Sequence, residues 1–323
     1  MDDETVKLSP GSRKGGLSRR LFIGCALCAG VAVAGGVAWQ ALRPAAPPSN
    51  PPSPPSPPPP PPPPRPSIAI RSASEKAILD NHPADLDVFR LDRNPRIVVL
   101  DFASLARQGA MLNRVAAMAE KIGQPHDRAL DDTALDNAIR ASGDTPETFY
   151  YGHDYGTEAL AQFFAAAERQ KLPLLQDERW LRGLVEQEGA LSGAPLGLIS
   201  IPAPNGRDVT PEMRAVILHH ELAHGEFFTS PAYRAWSHDF FSRVMDAKSR
   251  AGFRAFLVSQ NYDPAIEELV VNETQAYLMF TPGTLFFRAD LVGLDVSSLA
   301  DLRRRFREGM PEGWLRDQAV ADR

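Results

Sequence analysis

Apolar and polar positions divide the chain into stretches with different patterns. Residues 1–20 are polar and close on Ser18-Arg19-Arg20, and residues 21–39 form an uncharged apolar run. A basic stretch leading into such a run is the layout of an export segment, not of a folded element. Ala32-Val33-Ala34 offers a small-residue cleavage site after Ala34, while the run is also long enough to remain in a bilayer as an anchor. From residue 67 onward the pattern is mainly helical. Amphipathic periodicity predicts helices over 103–121, 156–171, 176–189 and 296–308. Three more helices carry explicit starts, a capping residue followed by proline: Thr210-Pro211, Ser230-Pro231 and Asp263-Pro264. Short apolar or β-branched runs at 96–102 and 196–201 predict strands. The fold class expected is α+β, α-rich, with a small sheet.

Composition separates these stretches further. Of the 30 prolines, 16 fall within residues 44–66, eight of them consecutive at 57–64. Such a segment lacks backbone donors and extends as polyproline II; at ~3.1 Å per residue it spans on the order of 70 Å. The expected organisation is therefore a signal or signal-anchor at 1–43, a proline-rich spacer at 44–66 and one folded domain at 67–323. A net charge of -5 without basic runs excludes a nucleic-acid-binding footprint. Both cysteines, Cys25 and Cys28, lie in the apolar run, so the folded domain has no internal disulfide.

The helix from Pro211 contains His219-His220-Glu221-Leu222-Ala223-His224, a His-Glu-x-x-His pattern. One turn apart on a helix, His220 and His224 converge on one cation, and Glu221 projects beside them toward a water on that cation. The surrounding apolar residues Val216, Ile217, Leu218, Leu222 and Ala223 make unpartnered imidazoles costly there, which favours a metal over two ordinary core histidines. Catalytic zinc needs a third protein ligand. In the helix expected from Pro264, Ile266, Leu269, Val270, Glu273, Ala276, Tyr277 and Phe280 form a buried stripe in which Glu273 is the only carboxylate. Glu273 is thus the candidate, with a buried ion pair to an arginine as the alternative and His238 as the rival ligand. Glu267 and Glu268 fall on another face and are expected to be solvated. His219 faces about 100° away from His220 and is a poor ligand.

These residues resemble the gluzincin group of zinc metallopeptidases, in which a glutamate from a later helix joins the two histidines. Val271-Asn272-Glu273-Thr274-Gln275-Ala276-Tyr277 is similar to the Asn-Glu-x-x-Ala segment that carries it. The resemblance implies a zincin-like domain with one Zn2+, ligands His220, His224 and Glu273, and Glu221 as general base. The interval from His224 to Glu273 is longer than in thermolysin-like members and must hold an extra helical hairpin. Their ligand-orienting aspartate, four residues past the glutamate, is replaced by Tyr277. The Ser-Arg-Arg-Leu-Phe-Ile stretch at 18–23 resembles the twin-arginine export signal of bacteria.

The aromatic segment 149–156 supplies His153 and Tyr155, which with Tyr277 are candidate oxyanion or substrate contacts. The strand at 196–201 is expected to present an open edge to an extended peptide. Together these features predict an exported zinc metallopeptidase, in the periplasm or on the outer face of the cytoplasmic membrane. Its expected partners are a peptide or protein substrate, cell-wall peptide included, and the inner membrane if the anchor is retained. The alternative is a binding or scaffold domain in which zinc is structural and a fourth ligand, His153 or His238, closes the site.

Overall fold

Among the described residues five short strands and ten α-helices form the fold, and alternation along the strands explains how they meet. The strands are Arg71–Ala73 (β1), Leu86–Leu91 (β2), Ile97–Phe102 (β3), His153–Gly156 (β4) and Gly197–Pro202 (β5). They form one mixed sheet in the order β1-β2-β3-β5-β4, with β1/β2 and β3/β5 parallel and β2/β3 and β4/β5 antiparallel. The computed structural model describes residues 68–320, which belong to a single compact unit. The export segment and proline-rich spacer expected from sequence lie outside the described residues.

The helices are Glu75–Leu79 (α1), Leu105–Ala119 (α2), Asp132–Ser142 (α3), Thr157–Gln170 (α4), Gln176–Gln187 (α5), Pro211–Thr229 (α6), Pro231–Asp239 (α7), Ala247–Ser259 (α8), Glu267–Phe280 (α9) and Val296–Gly309 (α10). A π-helical turn, Phe240–Val244, follows α7. The α+β, helix-rich class holds. Among the described residues no helix is long and apolar enough to cross a membrane.

Helix α6 starts where its cap signal places it: Pro211 is its first residue and the Thr210 hydroxyl accepts from Met213 N–H. Ser230 ends α6 and caps α7 in turn. The third start signal is displaced. Asp263 accepts from Ala265 N–H at 2.8 Å and faces His126 Nε2 at 3.0 Å, forming a turn, and α9 begins at Glu267. The interval between α6 and α9 holds α7, the π-turn and α8, the helical excursion its length required.

Two further expectations are corrected. The strand at 196–201 is not an open edge: β5 lies between β3 and β4, and all six of its residues are buried. The edges are β1 and β4, and β4 lies inside the aromatic segment 149–156; four residues without β-branching carry too little pattern to read as a strand.

Helix α6 packs across β3, β5 and β4. Its contacts fall on alternate residues: Asp101 and Ile97 of β3 meet Arg214 and Gly225, and Gly197 of β5 meets Gly225 backbone. Along the β4 segment, Gly152 meets Glu221, Asp154 meets His224 and Gly156 meets Phe228. One face of the sheet is thus given to α6. The approach is close enough that a Cβ at Gly197 would sit 2.8 Å from the Gly225 carbonyl oxygen.

Candidate metal centre

Helix α6 places His220, Glu221 and His224 in the interior, and α9, packed against it, brings Glu273 opposite. The two Nε2 atoms are 3.0 Å apart. Glu273 Oε2 lies 3.7 Å from His220 Nε2, and its Oε1 lies 3.7 Å from His224 Nε2. A tetrahedral zinc site with arms of about 2.0–2.1 Å has ligand–ligand edges of about 3.4 Å, so the two rings and the two carboxylate oxygens stand at separations of the right size. Among the described residues no arginine pairs with Glu273 and neither of its oxygens has a hydrogen bond of good geometry, with the Tyr262 hydroxyl near enough to favour its charged form. Such orphaned buried oxygens are costly unless something polar or charged fills the gap. These buried His and Glu groups can hold a metal ion.

The imidazoles are set to present lone pairs to the centre. His220 Nδ1 lies 2.8 Å from Thr281 Oγ1, and the Thr281 hydroxyl donates its one hydrogen to the Ala276 carbonyl at 3.0 Å. The hydroxyl can therefore only accept, so Nδ1 carries the proton and Nε2 is free to ligate. His224 Nδ1 faces Asp154 Oδ1 of β4 at 3.6 Å. Asp154 is held in turn: Asn272 Nδ2 donates to its Oδ1 at 3.1 Å, Gln275 Nε2 donates to Asn272 Oδ1 at 3.2 Å, and the Tyr233 hydroxyl donates to Gln275 Oε1. Carboxylates and amides behind ligand histidines fix the ring that faces a metal.

Burial governs the electrostatics. It lowers the His220 imidazolium to about 4, with Asp154 opposing and His219 adding, so the ring is neutral at pH 7. It pushes the Glu273 carboxyl up to about 8, opposed by His224 and Tyr262 and assisted by Asp154. Glu221 is driven well above the usual carboxylate range by burial and by Asp154, Glu273 and Glu120. A cation between the ligands would relieve all of these at once.

Glu221 lies beside the centre, and the close passage of Gly152 confines it. A Cβ at Gly152 would stand 2.1 Å from Glu221 Oε1, so any larger residue displaces the carboxylate. Glu221 Oε2 has no hydrogen-bond partner.

Other candidates are placed elsewhere. Strand alternation directs His153 and Tyr155 to the sheet face away from α6, where His153 Nδ1 and the Tyr155 hydroxyl are 2.9 Å apart. Neither reaches the centre, which removes both as oxyanion donors and His153 as a fourth ligand. Tyr277 is fully buried and packs edge-on against the His220 ring at 4.7 Å, with Phe256 and Phe287 behind it, so it braces that ring, while its hydroxyl has no hydrogen-bond partner among the described residues. His238 faces Glu268 at 2.8 Å and is outside the cluster. Glu268, expected to be solvated, also pairs with Arg234 at 2.6 Å. His219 Nε2 meets the Gln318 carbonyl at 2.8 Å, in keeping with its exclusion as a ligand.

Sequence reading missed Thr281, Asp154, Asn272 and Gln275. Thr281 and Asp154 reach the histidines only through tertiary contact. The two amides left a signal: from Leu269 to Phe280 every residue of α9 is buried, so polar residues at 272 and 275 inside that helix needed partners.

A cavity of about 350 Å³ adjoins the centre at Asp154 and Asn272 and lies against the free edge of β4, lined by Asp154 and Gly156 on one face and Tyr155 on the other. Compared with protein-family models, with curated proteins and with solved structures, the chain matches none of them.

Proposed function

We propose that the protein is a zinc-dependent hydrolase of zincin type, acting on peptide bonds. The observation that carries this reading is the convergence of the His220 and His224 Nε2 atoms on the buried Glu273 carboxyl, beside Glu221, whose Oε2 has no hydrogen-bond partner among the described residues. Zinc held by His220, His224 and Glu273 would act as a Lewis acid, polarising a carbonyl and acidifying a water. Glu221, with a pKa raised by burial, is suited to take that water's proton and return it to the leaving amine. Asp154, Asn272 and Thr281 hold the histidine rings in register. The twin-arginine-like stretch at 18–23 and the spacer at 44–66 extend the proposal to an exported enzyme held at, or released from, the outer face of the cytoplasmic membrane.

A structural metal is the second reading, and one observation favours it: His220, Glu221, His224 and Glu273 are each at most 4% exposed. Asp154 does not complete such a site, because it meets His224 at Nδ1, and the two ring nitrogens point in divergent directions. Glu221 is the other buried carboxylate within reach of His224, so its role, ligand or general base, separates the two readings. Glu221→Gln in the zinc-loaded protein distinguishes the two. Peptide turnover should fall about 10²–10⁴-fold with one zinc retained per chain. Normal turnover in that variant rules out this mechanism.

A further inference from the structure

The cavity beside the centre combines apolar walls with an acidic lining that Lys121 offsets only in part. Val115, Met118, Phe163, Phe228 and Leu269 supply the walls, and Glu120, Asp154 and Glu158 supply carboxylates. Both basic side chains that line it are already paired, Arg234 with Glu268 at 2.6 Å and His126 with Asp263 at 3.0 Å. Lys121, next to Glu120, turns away to the Phe149 carbonyl at 3.0 Å and Asp144 at 3.7 Å. Asp154 is more than nine-tenths buried, and Asn272 engages only its Oδ1. No hydrogen bond among the described residues reaches Oδ2, on a residue that lines the cavity. Glu120 is 5% exposed and also faces this space.

Resting on the peptidase reading, we propose that this cavity selects a substrate side chain of lysine or arginine type, an apolar stem tipped by a cation. The stem matches the apolar walls, and the cation meets Glu120 and the free oxygen of Asp154. Strand β4 has no neighbour on its outer side and borders the cavity, so a chain running along it could lower one side chain into this space.

Calorimetry on the zinc-loaded full chain tests the cavity without reference to cleavage. The probes are pentylguanidinium, whose protonated head cannot ligate a metal, and 1-pentanol. Pentylguanidinium should bind at least about tenfold more tightly, as expected for charge-assisted bonds in a buried site. The gap should close to about threefold or less in Glu120→Gln and narrow by a smaller factor in Glu158→Gln, which lies at the exposed rim and keeps the test usable if Glu120→Gln fails to fold. Equal binding of the two probes overturns the proposal. In a second arm, peptides blocked at both ends carry lysine, arginine or norleucine at each position in turn, beside unblocked peptides lacking basic residues. Faster cleavage of the blocked lysine and arginine peptides supports the proposal. Preference only for a free amino terminus, or cleavage indifferent to charge, overturns it and leaves the peptidase reading standing. Retained guanidinium selectivity with no cleavage of any peptide instead removes the peptidase reading and leaves the cavity's chemistry in place.

Discussion

Helix α6 carries two buried polar clusters two turns apart, and they are finished differently. At its start, Arg214 gives its terminal nitrogens to Asp101 at 2.8 and 2.9 Å and to the carbonyls of Pro202 and Ile78 at 2.8 and 2.7 Å. Asp101 accepts a further bond from Asn81 at 2.8 Å. The charges cancel and every terminal nitrogen is bonded, with only the Arg214 Nε–H left without a partner among the described residues. At Glu221 and across to Glu273, carboxylate oxygens are equally buried yet have no partner. The first cluster ties α6 to β3 and the segment after α1. The second is complete only with a cation. Burial alone does not separate a structural polar group from a functional one; what separates these two is whether the buried charge has an opposite charge bonded to it.

The contrast can be broken experimentally. The largest effect is expected at the closed cluster: Asp101→Ala leaves Arg214 buried without its counter-charge and should cost about 3–5 kcal/mol in urea unfolding, equally with and without zinc. A loss under about 1 kcal/mol would show that the two clusters do not differ in kind. Next is Glu273→Gln. Without zinc its stability should match or exceed that of the wild type, because an uncompensated carboxyl has been removed. The stabilisation by zinc, about 3–4 kcal/mol at 100–1,000 times the dissociation constant, should disappear. Thr281→Val frees the His220 ring from its acceptor and should weaken zinc binding about 10–100-fold in competition with a chelator, beyond a loss of about 1–3 kcal/mol in the metal-free fold from the unpaired Nδ1 hydrogen.

The smallest effect is a pH dependence. In the metal-free fold Glu273 holds its proton up to about pH 8, whereas the unfolded carboxyl loses it near its model value of 4.5. Between those values the folded state binds more protons than the unfolded one, so metal-free stability should fall as pH rises through the window. Zinc removes that proton, so the zinc-dependent rise in melting temperature should grow from pH 5 to pH 8. A constant difference across that range would contradict the assigned environment of Glu273.

The open cluster was partly legible in the sequence, because one helix supplies most of it. His220, Glu221 and His224 are fixed by spacing alone, and Glu273 stood out as the lone carboxylate in an apolar stripe. What lies behind the ligands was not legible. Thr281 is just past the end of α9 and Asp154 is on a four-residue strand, and only folding brings them to the histidines. The Asp263-Pro264 pair looked like a helix start, but Asp263 serves the turn and His126 instead. Residues 196–201 had the apolar run of a strand, yet no local pattern says whether a neighbour covers its edge.

The long passage from His224 to Glu273 has a consequence for the chain's covalent economy. With both cysteines in the amino-terminal apolar run, the folded body has no cross-link of its own. An ion bound by residues on either side of α7 and α8 would close a loop of some fifty residues, as a disulfide does. By the chain entropy of such a closure, that tie is worth about 4 kcal/mol. Chelation should therefore do more than silence chemistry: it should loosen the α7–α8 excursion first and expose it to proteolytic nicking before the sheet gives way.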